Sequence, residues 1–214
     1  MLLHLVKKDL LIAKKYVLTS MLLVVAIPIF IIFLIPAVAA ILPFVYMVLF
    51  GEILILQAIA QEEEKYPKAV ALLCASPYER RHFVLAKYAL FFLIFTYSGV
   101  TYTIITFFLA RTLFLDLTSF LAVLFLGSTF FGIYMPLEFK FGFAKAKFVI
   151  TTAILLMSLG PVLFTRFSAY LNIDFSKLPT LPPLALNTLL VAATALITAA
   201  SLLVSVRIFS NKDL

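Results

Sequence analysis

The segment EEEKYPKAVALLCASPYERRHF, Glu62 to Phe83, is the longest break in a chain that is otherwise almost all apolar. It opens on three acids, passes through a short greasy run and closes on a basic pair. The residue types available for chemistry elsewhere are few. There is no GxxxxGK[ST], so no nucleotide-binding loop, and no HExxH. His4 and His82 stand apart from any cysteine or acid at metal-ligand spacing and read as surface residues. Cys74 is the only cysteine, which excludes an intrachain disulfide. Serines and threonines inside apolar runs are better suited to bonding neighbouring helices than to nucleophilic attack. The chemistry left is docking through the insert, plus one isolated acid, Glu52.

Glu52 lies in FVYMVLFGEILILQAIA, with no charge nearby until the acids at Glu62–Glu64. Ten helical residues span about 15 Å, which places Glu52 near the bilayer centre. A charge there costs on the order of 2.5–3.5 kcal/mol on insertion scales, so the side chain should face protein or a wet cavity. No Lys or Arg falls at that depth, which leaves bonding to hydroxyls such as Tyr46, Tyr97, Thr101 or Thr103. Two roles stay open: an interhelical or dimer-interface hydrogen bond, and a polar group lining a transport path.

The elements that must carry these residues follow from composition. The chain has 214 residues, 64% of them hydrophobic, well above a soluble domain. Stretches long enough to span a bilayer fall at roughly Val17–Ala40, Ile41–Ala60, Val84–Leu109, Leu117–Leu137, Phe148–Phe167 and Leu184–Ile208. Backbone groups cannot go unpaired in lipid, and continuous apolar runs exclude a barrel, so six membrane-spanning helices are expected in an all-α protein. Fourteen Lys and Arg fall on the side of the termini and the insert, against Arg111, Arg166 and Lys177 on the other. The predicted topology puts both ends in the cytoplasm of a multi-pass cell-membrane protein, in the bacterial plasma membrane. The net charge of +7 then reflects orientation and anionic lipid, with no compact basic domain to bind nucleic acid.

The expected organisation is one transmembrane domain over 1–214: an interfacial helix at 1–16, spans one and two over 17–60, a cytoplasmic loop at 61–83, spans three to six over 84–208, and a tail at 209–214. No cleavable leader is expected, because MLLHLVKKDLLIAKKY mixes charge into its apolar run. On a helical wheel His4, Lys7, Lys8, Lys14 and Lys15 share one face, while Leu11 and Asp9 sit on the wrong sides. This fits a helix lying in the headgroup layer, lysines outward, or simply the positive flank of span one. LIPAVAAILPF makes a short outer turn, and TRFSAYLNIDFSKLPTLPP is an outer cap or a plain connector. Pro136 should bend or end span four, and Gly142 permits a sharp turn before span five.

Within the insert, Pro67 suits a first helical turn and KAVALLCA makes about two turns, apolar nearly all round. Ser76-Pro77-Tyr78-Glu79 reads as a capping box that starts a second helix running through ERRHFVLAKY into span three. An apolar helix of this kind lies on lipid or in a groove of a separate polypeptide.

This arrangement resembles the first cytoplasmic loop of ABC-2 type exporter permeases, at Glu62, Glu63, Pro67, Leu72, Leu73, Ser76, Pro77, Arg80, Arg81 and Lys87. MPLEFKFGFAKAKF resembles the second cytoplasmic loop of a small six-span subfamily, at Pro136, Lys140, Phe141, Gly142 and Lys145. That subfamily includes the permeases of phenol-soluble modulin exporters. Cys74-Ala75-Ser76 departs from the more usual Leu or Ser before the proline. The resemblance implies a coupling helix that docks into a separate ATPase subunit, with contacts at Tyr66, Pro67, Lys68, Val70, Ala71, Leu72, Leu73, Ser76, Pro77, Tyr78, Arg80, Arg81, Lys140, Phe141 and Gly142. It implies a dimer with a second permease copy or paralogue, and ATP and Mg bound by the partner, with no cofactor or catalysis in this chain. The expected function is ATP-driven export of an amphipathic peptide or other hydrophobic cargo. The alternatives are a membrane scaffold or immunity protein, or a secondary transporter. Against the last, no inverted repeat is visible and Glu52 is the single embedded charge.

Overall fold

The structure, a computed structural model, describes residues 2–34, 41–66, 80–109, 115–152, 154–156 and 182–211. All regular structure among these is helical: α1 (Leu2–Ile12), α2 (Lys14–Leu34), α3 (Leu42–Lys65), α4 (Arg80–Leu109), α5 (Leu117–Phe141) and α6 (Pro183–Ser210). Five of them, α2 to α6, are long and apolar enough to cross a membrane. Residues 143–152 and 154–156 are also helical, at the start of the expected fifth span, and the rest of that span lies outside the described residues.

Each helix outruns its apolar stretch where polar helix formers continue the backbone ladder. The second apolar run ends at Ala60, yet α3 continues through Gln61–Lys65, closed by a Lys65 Nζ–Glu62 Oε1 contact of 2.6 Å. At the other side of the insert α4 is already helical at Arg80, ahead of the apolar run beginning at Val84. With 30 residues, α4 is about 45 Å long against a hydrocarbon core of about 30 Å. Pro136 does not end α5, which runs on to Phe141, so of the two effects expected of it only a bend stays possible. The stop comes at Gly142, whose φ of +80° is closed to residues with a Cβ, and a helix resumes at residue 143.

Helix α4 is the hub, touching α1, α2, α3, α5 and α6. Along one end of the bundle Phe83 stacks on Phe209 at 5.0 Å, Phe139 meets Phe209 at 5.1 Å, and Arg80 Nη1 donates to the Ser210 carbonyl at 2.8 Å. At the opposite end Phe44, Phe95, Tyr102 and Phe120 form an aromatic knot with centroids 5.1–5.9 Å apart. Between these ends, Ser201 Oγ donates to the Gly132 carbonyl at 2.8 Å. Its proton thus spent, Ser201 accepts from the Tyr88 hydroxyl at 2.6 Å, and Ser205 can in turn donate to Tyr88 at 3.1 Å. Gly132 leaves the room for this seam, since a Cβ there would meet Ile197 at 3.2 Å and Ser201 at 3.5 Å. Helices α5 and α6 run parallel, with 132 beside 201 and 139 beside 209.

Helix α1 does not merely lie with its lysines outward. Leu5, Val6 and Asp9 are buried, and the helix packs against α4, α2 and α3, while His4, Lys7, Lys14 and Lys15 are exposed. The placement of Asp9 on the wrong side of a surface helix is thereby explained: that side faces the bundle.

Candidate functional site

Two polar sites lie inside the described bundle. The first is at the end that carries the insert and the chain termini. Lys87, two turns into α4, is 1% exposed, and its Nζ donates to Glu63 Oε1 at 2.7 Å. The same ammonium lies 3.6 Å from Asp9 Oδ2. Lys8 completes the group, 2.9 Å from Asp9 Oδ1 and 3.7 Å from Glu63 Oε1. The Lys8–Asp9 contact is an ion pair whose angles fall outside hydrogen-bond geometry. Both ammonium groups sit over the ring of Phe83, Lys8 at 4.8 Å and Lys87 at 5.3 Å from its centroid, within cation–π range. Glu138 of α5 acts electrostatically on Lys87 and is itself buried, as is Tyr134 one turn earlier. One buried lysine therefore gathers carboxylates from α1 and α3. This arrangement holds helices together and has no metal-ligating geometry: no group of three or more His, Cys, Asp or Glu suited to a metal occurs among the described residues.

The second site is Glu52, fully buried on α3. Neither carboxylate oxygen has a hydrogen-bond partner among the described residues. Both face Gly127 of α5, where an added Cβ would sit 3.8 Å from each oxygen and 3.7 Å from the Phe91 ring. Two of the four hydroxyls expected to bond it are engaged elsewhere: Thr101 donates to the Tyr97 carbonyl and Thr103 to the Gly99 carbonyl, each at 2.8 Å. Threonines in these helices mostly bond the carbonyl one turn back, a local partner that wins over a distant one.

Comparison with known families covers nearly the whole chain. Residues 4–210 match the family described as ABC-2 family transporter protein. The chain belongs to that family. It is an ABC-2 permease, the membrane component of a transporter and a non-catalytic transport subunit, built as a multi-pass helical protein. ABC-2 permeases work with ATPase subunits. No curated protein and no solved structure matches the chain.

Of the permease residues expected to contact an ATPase, the structure describes both rims of the insert. Tyr66 caps α3 and is 63% exposed. Arg81 is exposed on the first turn of α4, whereas Arg80 is half-buried and turned to the end of α6. Lys140 and Phe141 are exposed at the end of α5, with Lys140 and Lys145 over the Phe141 ring at 5.1 and 5.7 Å, and Gly142 makes the turn. Pro67, Lys68, Val70, Ala71, Leu72, Leu73, Ser76, Pro77 and Tyr78 lie outside the described residues, as do the Ser76 capping box and all of the long outer loop before Pro182. The site that sequence reasoning missed is the one centred on Lys87. In the sequence Lys87 reads as an orientation charge and a match to the first cytoplasmic loop, and neither reading calls for a buried ion pair.

Proposed function

We propose that this ABC-2 permease exports an amphipathic peptide or another hydrophobic cargo, driven by a separate ATPase that docks on the insert between α3 and α4. The observation that carries the reading is the family match over 4–210, joined to an end of the bundle where the insert, both terminal helices and the end of α5 converge. The exposed rim of Tyr66, Arg81, Lys140 and Phe141 supports docking there, with Leu72 and Leu73 as the apolar anchors. Six spans are the topology we infer: α5 and α6 run parallel, as one further crossing between them would require, and the helical stretch beginning at residue 143, with Ala146 and Ile150 packed in the core, supports that reading. The excess of Lys and Arg at the insert end supports a cytoplasmic position for that end. Helices α2 and α6 are apolar and largely uncovered within one chain, which suits lipid and a second permease copy. The near absence of charge inside the spans suits a hydrophobic cargo, and resemblance to the phenol-soluble modulin exporters favours a peptide.

The test is purification of tagged permease from its native membranes. An ATPase that co-purifies, and ATP-dependent uptake of a labelled amphipathic helical peptide into inverted vesicles, are the expected results. A preparation that holds no ATPase under mild detergents refutes the reading.

A further inference from the structure

The insert is joined to the spans through a neck formed by the end of α3 and the start of α4. Glu63 lies within the last turn of α3, and Lys87 two turns into α4. Their 2.7 Å contact closes the neck, bridging 24 positions of sequence. Asp9 brings α1 to the same ammonium. The aliphatic contacts of α1, Leu5 and Val6 against Ile59, Ala86 and Leu90, lie beside this group.

A buried ion pair is a poor device for stability, because desolvating the charges cancels much of their attraction and apolar residues of like size do as well or better. What a buried lysine does supply is position: its charge meets both carboxylates in one register of the three helices, and a slip of one residue leaves a carboxylate buried without a partner. An open neck would let a force on the insert splay α3 from α4 and dissipate. A closed neck passes it on as a rigid-body displacement.

We propose that Asp9, Glu63 and Lys87 form an ionic clasp that makes α1, α3 and α4 move as a single foot beneath the insert. Lys87 is its positioning residue, and the N-terminal helix is a working part of the coupling device. The coupling role rests on the ATPase-driven function given above. The clasp itself does not, and the experiment separates the two.

In a Cys74→Ser background, Val6→Cys places a thiol on the buried face of α1. Lys87→Met should raise its maleimide labelling rate in native membranes by about tenfold or more, since labelling of a buried thiol follows the opening of its helix. An unchanged rate overturns the clasp, with no ATPase or cargo needed. A second variant, Glu63→Cys with Lys87→Cys in the same background, reads coupling in the complete complex in vesicles. Reduced, it should move about tenfold less labelled amphipathic peptide per ATP hydrolysed, and bridging the two thiols with a short bis-methanethiosulfonate should restore the ratio to within about twofold. A ratio that is normal when reduced, or that stays low once bridged, overturns the role in coupling. If the Cys74→Ser parent itself neither retains an ATPase nor exports, the proposed function fails, while the labelling rate still decides the clasp.

Discussion

Replacing Glu52 by leucine should make the protein more stable. The carboxylate is fully buried, both oxygens lack hydrogen-bond partners among the described residues, and the facing surface is Gly127 and the Phe91 ring. An unsatisfied buried polar group costs about 1–3 kcal/mol. Leucine is larger by about one methylene group and faces Gly127, which has no side chain, so it removes that penalty without opening a cavity of the kind that makes large-to-small changes costly. The expected gain is about 1–3 kcal/mol, read as a higher midpoint when the purified permease in mixed micelles is titrated with SDS. The comparison protein is Glu52→Gln, whose amide stays polar and should gain little. If Glu52→Leu lowers the midpoint, the carboxylate has a partner that a single chain does not provide, and a second permease copy is the first place to look. An unsatisfied intramembrane acid is retained at the expense of stability, so the same substitution should impair export while ATP hydrolysis persists, assigning Glu52 to the transport path.

Four further outcomes are expected. Gly142→Ala should destabilise by about 1–3 kcal/mol in the same titration, because its φ of +80° is strained for any residue with a Cβ even though the space around it is open. Gly99→Ala should be worse tolerated than Gly127→Ala, since its Cβ would meet the Phe120 ring at 3.0 Å whereas Gly127 has ordinary contact room, and parallel midpoints would show the difference. Tyr88→Phe removes the central link of the Ser205–Tyr88–Ser201 seam and should cost about 0.6 kcal/mol, the mean for interhelical bonds in membranes. Leu73→Asp should reduce ATPase co-purification, because a buried leucine contributes about 1.5–3 kcal/mol to such a contact; full retention would place the dock elsewhere.

The helical class and five of the six expected crossing segments were legible because a bilayer imposes a length and an apolar composition on any segment that spans it. Helix ends were less legible. Gln61–Lys65 is polar, so hydropathy assigns it to the loop, yet backbone bonding continues where the side chains leave the apolar run; the helix read through ERRHFVLAKY, by contrast, is present from Arg80 onward. Glu52 was legible by depth alone. Its surroundings were not, because which hydroxyls find local carbonyls is decided within each helix, turn by turn. The clearest lost signal is Asp9. The wheel showed it on the apolar face of α1, a position that calls for a buried cation, but its partner Lys87 is far along the chain and only packing brings them together. An acid on the wrong face of a surface helix should therefore be read as a half of a pair, to be sought at the foot of another span.

The bond from Arg80 to the Ser210 carbonyl joins residues 130 apart, and Phe83 and Tyr88 likewise find Phe209, Ser201 and Ser205 only in α6. At synthesis rates of about 5–20 residues per second, α4 enters the membrane roughly 7–26 seconds before those partners exist. During biogenesis, then, the foot of the bundle stays unfinished until α6 leaves the ribosome. A chain broken off before that helix would present a ring of aromatic and hydroxyl groups with nothing against it, a mark by which membrane proteases could tell an abandoned permease from a finished one.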